Sequence, residues 1–310
     1  MIEAKNLVRR YGEFVAVDDV SFRIEPGEVV GLLGHNGAGK TTIMKMLTGF
    51  LEPSAGSVVV DGIDVFADPS AVQAQMGYLP ENSPLYPELS VVDYLAYAAQ
   101  LRGMDPQHCV PEAVASTQLE EKALDPIRTL SRGFKQRVGV AQAILHKPKF
   151  LILDEPSNGL DPTQTQHMRD LIRDLARSAT VILSTHIMQE VNAVCDRVLI
   201  LRTGELAVDK RLDELQKTSA LSLSTATGVD VAGVLQPLAE VDTVDPLEQG
   251  AWKIALHGPL EQGAAAVAKA MVGADLPLHS LTPFLRDLES LFAQVSEAGE
   301  EHQGGSQHAA

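Results

Sequence analysis

Short continuous apolar runs alternate with amphipathic stretches through the first two thirds of the chain. The predicted buried strands are residues 29–33, 150–153, 181–184 and 198–201. The predicted helices are residues 43–51, 91–101, 112–122 and 135–145. Strands that alternate with helices indicate an α/β fold with a largely parallel sheet, into which a helical insertion of about residues 83–146 is placed.

Alternating apolar and polar positions on either side of this pattern predict antiparallel strands. Residues 2–24 alternate and are interrupted at Tyr11-Gly12, and residues 56–60 end at Asp61-Gly62, which is a hairpin signal. We therefore expect an antiparallel β subdomain beside the main sheet. Ser90 and Asp93 have the spacing of a capping box and mark the start of the helix at residue 91.

The composition and the hydrophobic pattern of the sequence change after about residue 217. A Ser/Thr-rich stretch is followed by a strand-like segment at 252–256 and by helical patterns at 260–271 and 283–295. We predict a first domain of residues 1–217, a small α+β domain of residues 218–298, and a disordered tail of residues 299–310 without apolar anchors.

Composition adds limits on class and partners. A chain of 310 residues with 45% hydrophobic residues can bury one large and one smaller core. Its apolar runs are far shorter than the roughly 20 residues of a membrane span, and its first residues do not begin a signal peptide. The net charge is −16, with −8 in residues 1–216 (21 basic, 29 acidic) and −8 in the remainder (4 basic, 12 acidic), which argues against a nucleic-acid partner. Cys109 and Cys195 lie in unrelated segments and neither is predicted to be catalytic.

A glycine-rich loop lies between the first buried strand and the first helix. It reads GHNGAGKTT and matches the pattern G-x-x-x-x-G-K-[ST] of a phosphate-binding loop, whereas an ordinary Gly-rich turn would not need the Lys-Thr pair in register. Bare backbone amides attract phosphate, the lysine can reach the β and γ phosphates of a nucleotide, and the first threonine hydroxyl is placed to bind Mg²⁺. The candidate phosphate-binding residues are Gly34, Asn36, Gly37, Ala38, Gly39, Lys40, Thr41 and Thr42.

Two acidic residues follow the apolar run at residues 150–153. Asp154 and Glu155 are therefore expected at the carboxyl end of a strand, where Asp154 is a candidate Mg²⁺ ligand and Glu155 a candidate base for the attacking water. The simpler alternative is a pair of solvated acids, which the phosphate-binding loop upstream makes less attractive. Lys40 and Glu155 are the first candidate catalytic residues.

In order and spacing, residues 34–42, Leu130-Ser131-Arg132-Gly133, residues 151–156 and Ser184-Thr185-His186 resemble an ABC transporter ATPase subunit over about two thirds of the chain. The resemblance implies a P-loop NTPase (RecA-like) core that binds ATP and Mg²⁺. It also implies that Ser131 and Gly133 contact the ATP of a facing subunit, so that a second copy or a related ATPase completes the site. Arg132 and Phe134 depart from the family's LSGGQ signature.

Four further residues receive roles from the same resemblance. Tyr11 resembles the aromatic residue that stacks on adenine, His186 the histidine that contacts the γ-phosphate, and Asp161 the acid of the loop at the dimer interface. Glu81 occupies the position at which the family usually has a glutamine that contacts Mg²⁺ and the attacking water. We interpret Glu81 as a functional substitution and a candidate Mg²⁺ ligand, although a displaced loop was the alternative.

The resemblance also suggests partners and location. Residues 82–88, with Leu85 and Tyr86, are similar to the surface on which multi-span membrane subunits dock, against the alternative of an ordinary Pro-rich loop. Residues 282–292 resemble the ending of ABC-2 export ATPases, including the gliding-motility-associated branch. The implied function is ATP-driven export from the cytoplasmic face of the membrane. The alternatives are a soluble, non-transport ABC ATPase with a mechanical or regulatory role, and a phosphate-loop kinase or GTPase outside this family, which does not account for residues 130–133 and His186.

Overall fold

The computed structural model describes residues 1–216, 219–247, 250–284, 288 and 291–292. Two compact units are formed, by Met1–Leu212 together with Phe292, and by Asp213–Leu291. The predicted domain boundary at residues 217 and 218 and the predicted tail at 299–310 fall outside the described residues. The predicted final helix at 283–295 also falls largely outside them.

The first unit contains a six-stranded and a four-stranded sheet. Its strands are β1 (Ile2–Tyr11), β2 (Phe14–Ile24), β3 (Val29–Leu33), β4 (Ala55–Val60), β5 (Ile63–Asp64), β6 (Met76–Leu79), β7 (Phe150–Asp154), β8 (Thr180–Ser184), β9 (Arg197–Arg202) and β10 (Glu205–Arg211). Its helices are α1 (Lys40–Leu47), α2 (Pro69–Gln73), α3 (Val91–Leu101), α4 (Pro106–Ser116), α5 (Arg132–Ile144), α6 (Pro162–Ala176) and α7 (Met188–Val194), with 3-10 turns at Glu120–Lys122 and Ile127–Thr129.

The larger sheet has the strand order β10-β9-β3-β8-β7-β6, in which only the edge strand β10 is antiparallel to its neighbour. All five residues of β3, of β7 and of β8 are buried, because this sheet is covered on both faces. Since β3, β7 and β8 are parallel, the loops that follow them meet at one edge of the sheet. This edge holds the candidate site.

The smaller sheet is antiparallel, with the order β2-β1-β4-β5, and shares a core with one face of the larger sheet. Ile43, Met44 and Leu47 of α1 are buried in that core. Helices α3, α4 and α5 form a second core of their own, and α6 packs on the opposite face of the large sheet. The predicted α/β class, with an antiparallel β part and a helical insertion, is confirmed.

Several helix boundaries differ from the sequence predictions. The helix predicted at 112–122 begins at Pro106, because Asp105 caps it through the Gln107 amide and proline is tolerated in a first helical turn. It ends at Ser116, and residues 120–122 form a separate 3-10 turn. The helices predicted at 43–51 and 135–145 instead occupy Lys40–Leu47 and Arg132–Ile144. The predicted cap at Ser90 is confirmed, since its hydroxyl accepts from the Asp93 amide.

The second unit is a separate small α+β fold. After the short helix α8 (Leu212–Gln216), its elements are β11 (Ala220–Ser224), α9 (Val231–Leu235), β12 (Val241–Pro246), β13 (Ala251–Leu256), α10 (Leu260–Gly273) and β14 (Ser280–Pro283). The antiparallel strand order β12-β13-β11-β14 with this βαββαβ succession is the ferredoxin-like arrangement. Leu223, Ile254, Val267 and Met271 lie in its core.

Candidate functional site

The loop between β3 and α1 places backbone amides at the edge of the large sheet. Gly39 has a φ of 104°, and a Cβ there would lie 2.7 Å from the Ala16 carbonyl oxygen, so only glycine fits. Among the residues that the structure describes, no side chain caps α1 at Gly39, and the first turn of α1 contains no acidic residue. The free amides at the start of α1 are therefore available to an anion.

Lys40 is the cation of this loop and is only 7% exposed. Its Nζ donates to the Gly34 carbonyl oxygen at 2.7 Å and to the His35 carbonyl oxygen at 3.3 Å. The same nitrogen lies 4.0 Å from Glu155 Oε1. The loop thus holds a buried ammonium group beside the uncapped amides of α1, an arrangement suited to binding phosphate.

Asp154, the last residue of β7, pairs with the first threonine of the loop. Asp154 Oδ2 accepts a hydrogen bond of 3.0 Å from Thr41 Oγ1, whereas the buried Oδ1 has no hydrogen-bond partner among the described residues. Burial raises the pKa of Asp154, although the Thr41 hydroxyl opposes this effect. A hydroxyl and a carboxylate with an unused oxygen suit Mg²⁺, which prefers oxygen ligands and keeps positions for phosphate and water.

Glu155 turns the chain away from β7, with a φ of 50°, and its side chain is directed into the same region. Its Oε2 lies 2.9 Å from His186 Nδ1, which joins the loops after β7 and β8. Burial raises the pKa of Glu155, and the nearby His186 and Lys40 act against that rise. A buried carboxylate with a raised pKa beside a phosphate-binding loop is suited to accept a proton from water.

A cavity of about 440 Å³ brings most of the predicted residues together. The predicted residues that line it are Tyr11, Asn36, Gly37, Gly39, Lys40, Thr41, Thr42, Glu81, Asp154, Glu155 and His186. Phe14, Ala16 and Asn158 also line it and had not been singled out for a role from the sequence. Gly34, Ala38, Ser131, Gly133 and Asp161 are not among the lining residues.

The segment that resembles the family signature, residues 130–133, instead lies where the start of α5 packs against the start of α6. Ser131 caps α5 through the Phe134 amide, and Asp161 caps α6 through the Gln164 amide. A Cβ on Gly133 would lie 2.6 Å from Gln164 Oε1. The Arg132 guanidinium lies as closely against Gly159, where a Cβ would come 2.5 Å from its Nη1. Glycine at residues 133 and 159 lets the start of α5 pack directly against the loop and helix start at residues 159–164.

A buried acid behind His186 was missed in the sequence. Glu190 is 2% exposed, and its Oε2 accepts from the Thr185 hydroxyl at 3.0 Å. The same hydroxyl accepts from the Ile187 amide at 3.1 Å, so the backbone on both sides of His186 is held. The sequence did contain a signal for this residue, because Glu190 is a charged residue on the apolar face of α7.

Known proteins match this chain over part or nearly all of its length. A family model described as ABC transporter matches residues 17–158. The chain is 31% identical over 303 residues to an uncharacterized ABC transporter ATP-binding protein of Bacillus subtilis, YdbJ, with 97% of each chain covered. It is 34% identical to the bacitracin transport ATP-binding protein BcrA of Bacillus licheniformis, over 70% of this chain and 72% of that protein.

A solved structure described as the ATP binding subunit of an ABC transporter has the same fold over much of the chain. The TM-score is 0.63 at 31% identity, and the match covers 70% of this chain and 92% of the other. Within the part of this chain that the structure describes, no helix combines the length and the apolar character needed to cross a membrane.

The raised pKa of Glu155 predicts a pH-dependent stability effect. Because the folded state favours the protonated acid, the wild type loses stability as pH rises from about 4.5, the ordinary glutamate value, through the raised pKa. Glu155→Gln removes this loss. The gain in Tm of Glu155→Gln over wild type should therefore be larger at pH 8 than at pH 5, as measured by differential scanning fluorimetry.

Glu205→Gln changes an exposed acid on β10 and serves as the matched control. A Tm difference for Glu155→Gln that stays constant or shrinks between pH 5 and pH 8 would contradict the assigned burial effect.

Proposed function

Because the chain belongs to the ATP-binding proteins of ABC transporters, we propose that it hydrolyses ATP to power an ABC-2 type export system with separate membrane subunits. The observation that carries the proposal is the contact of Glu155 with His186 and Lys40 at the edge of the sheet. All three residues line one cavity, which supports the proposed roles of Glu155 as base and of Lys40 as the cation that binds phosphate. The export direction rests on the resemblance of residues 282–292 to export ATPases, and the relative named for bacitracin transport supports the transport role.

Each residue of the cavity is assigned a separate role in ATP hydrolysis. The α1 amides and Lys40 hold the phosphates, and Glu155 Oε1 or Oε2 accepts the proton of the attacking water. His186, which is half exposed, contacts the γ-phosphate from the loop after β8. Thr41 and Asp154 would hold Mg²⁺, which supplies positive charge to the phosphate oxygens.

Glu81 is proposed as a third oxygen ligand near the metal. It lines the cavity, and its negative charge contributes to the raised pKa of Asp154. If Glu81 and Asp154 both hold Mg²⁺, its positive charge would offset this repulsion, which a glutamine at residue 81 would not create. The acid at this position therefore fits a firmer hold on Mg²⁺.

A second copy of the chain, or a related ATPase, is proposed to complete the site. Ser131 and Gly133 lie at the start of α5, yet they do not line the cavity of their own chain. A facing subunit can present this helix start to the γ-phosphate, with Asp161 in the adjoining loop at the interface. Each ATP then lies between two chains.

A second cavity, of about 570 Å³, is the proposed docking groove for the membrane subunits. Phe50, Tyr78, Pro80 and Pro84 are among its lining residues, and Phe50 is 66% exposed. Tyr86, in the neighbouring loop, is 50% exposed. An apolar groove of this kind fits a short helix of a membrane protein, which would hold the ATPase at the cytoplasmic face of the membrane.

The catalytic part of the proposal is tested with Glu155→Gln. Steady-state ATP hydrolysis should fall by roughly 10²- to 10⁴-fold, because the proton acceptor for water is lost. The Kd for ATP should stay within about threefold of wild type, since the phosphates are held by Lys40 and the α1 amides. Turnover close to that of wild type in Glu155→Gln would remove Glu155 from the role of base.

The transport part of the proposal is tested with Phe50→Asp, which places a charge in the docking groove. A multi-span membrane protein should be cross-linked to the wild-type chain in cell membranes and be lost from Phe50→Asp, while ATP hydrolysis is kept. Leu124→Asp is the control, because Leu124 is 81% exposed and lies outside the groove. A wild-type chain that never associates with membranes would favour the alternative of a soluble, non-transport ATPase.

A further inference from the structure

Two exposed aromatic side chains lie side by side at the tip of the hairpin between β1 and β2. Tyr11 and Phe14 are direct partners in the antiparallel register, with Gly12 in a left-handed conformation between them. Residues directly opposite each other in such a pair project from the same face of the sheet, with Cβ atoms about 4.5–5.5 Å apart. The rings are 48% and 63% exposed, respectively.

Both rings line the cavity that holds the phosphate-binding loop. Tyr11 and Phe14 occur there together with Lys40 and Thr41, so one cavity joins a charged end to an aromatic end. The shape and chemistry correspond to a ligand that has an anionic chain and a flat apolar ring system. A purine nucleoside triphosphate has this composition.

Arg9 restricts how a ring system can contact Tyr11. Its guanidinium lies 4.6 Å from the centre of the Tyr11 ring, and its Nη1 donates to the Glu52 carbonyl oxygen at 2.9 Å. One face of Tyr11 is thus covered by a cation that is itself held in place. A bound base has the remaining face of Tyr11 available, and the neighbouring ring of Phe14 adds a second apolar contact.

We infer that Phe14 is a second base-contacting residue, which forms with Tyr11 the aromatic wall for the purine ring of ATP. The inference rests on the proposed function, because it assumes that the phosphates occupy the loop at Lys40. Burial of the exposed Phe14 ring against the base adds affinity through stacking and removal of apolar surface from water. The triphosphate does not share this contact.

The test compares Phe14→Ala with wild type for binding of ATP and of inorganic tripolyphosphate, both with Mg²⁺, by isothermal titration calorimetry. The Kd for ATP should rise by about 5- to 20-fold, the range expected for loss of one stacking contact. The Kd for tripolyphosphate should change by less than about twofold. Phe14→Tyr keeps the ring and should restore ATP binding, whereas Phe14→Leu should recover only part of it.

Leu124→Ala controls for loss of an exposed apolar side chain outside the cavity, and circular dichroism checks that each variant is folded. If Phe14→Ala binds ATP as tightly as wild type, or loses ATP and tripolyphosphate equally, the assignment of Phe14 is wrong. If the proposed function itself is wrong, the result differs. The wild-type chain would then bind neither ATP nor tripolyphosphate, and Lys40→Ala would not change binding.

Discussion

Three charged groups buried together at the carboxyl edge of the large sheet are the constraint on which the rest of the structure depends. Lys40, Asp154 and Glu155 are each less than a tenth exposed. Charges taken out of water are costly unless they are paired and hydrogen-bonded. Carbonyl oxygens of the glycine-rich loop, the Thr41 hydroxyl and His186 provide part of that compensation. Asp154 Oδ1, which has no hydrogen-bond partner among the described residues, and the amides at the start of α1 are the groups that the proposed Mg²⁺ and phosphates would contact.

The parallel sheet is what brings these groups together across long sequence distances. In the order β3-β8-β7, each strand ends at the same edge, so that residues 40, 186 and 155 meet although more than 100 residues separate the first from the other two. The antiparallel sheet shares its core with this sheet and carries Tyr11 and Phe14 on its hairpin. The site therefore combines a candidate phosphate-binding end on the larger sheet with an aromatic end on the smaller sheet.

The sequence predicts the parts of this arrangement that have local signals. Buried strands such as β3 and β7 are continuous apolar runs, and the phosphate-binding loop follows one of them in a recognisable pattern. The predicted start of α4, at residue 112, was wrong because Pro106 can either follow the end of one helix or open the next. Only the cap at Asp105 distinguishes these two cases. The strand order of the second unit depends on distant pairings and has no short-range signature. The pairing of Phe14 with Tyr11 is local, but their position at the phosphate-binding cavity depends on how the antiparallel sheet packs on the larger sheet.

The central claim is that one chain contains half of each ATP site and that ATP joins two chains. Analytical ultracentrifugation of Glu155→Gln with saturating ATP and Mg²⁺ tests it most directly, because slowed hydrolysis keeps the ligand in place. We predict a monomer of 33.3 kDa without nucleotide and a species of twice that mass with ATP. Adding Ser131→Arg, which blocks the start of α5, should leave the chain monomeric with ATP bound. A Glu155→Gln chain that binds ATP fully and sediments as a monomer would contradict the claim.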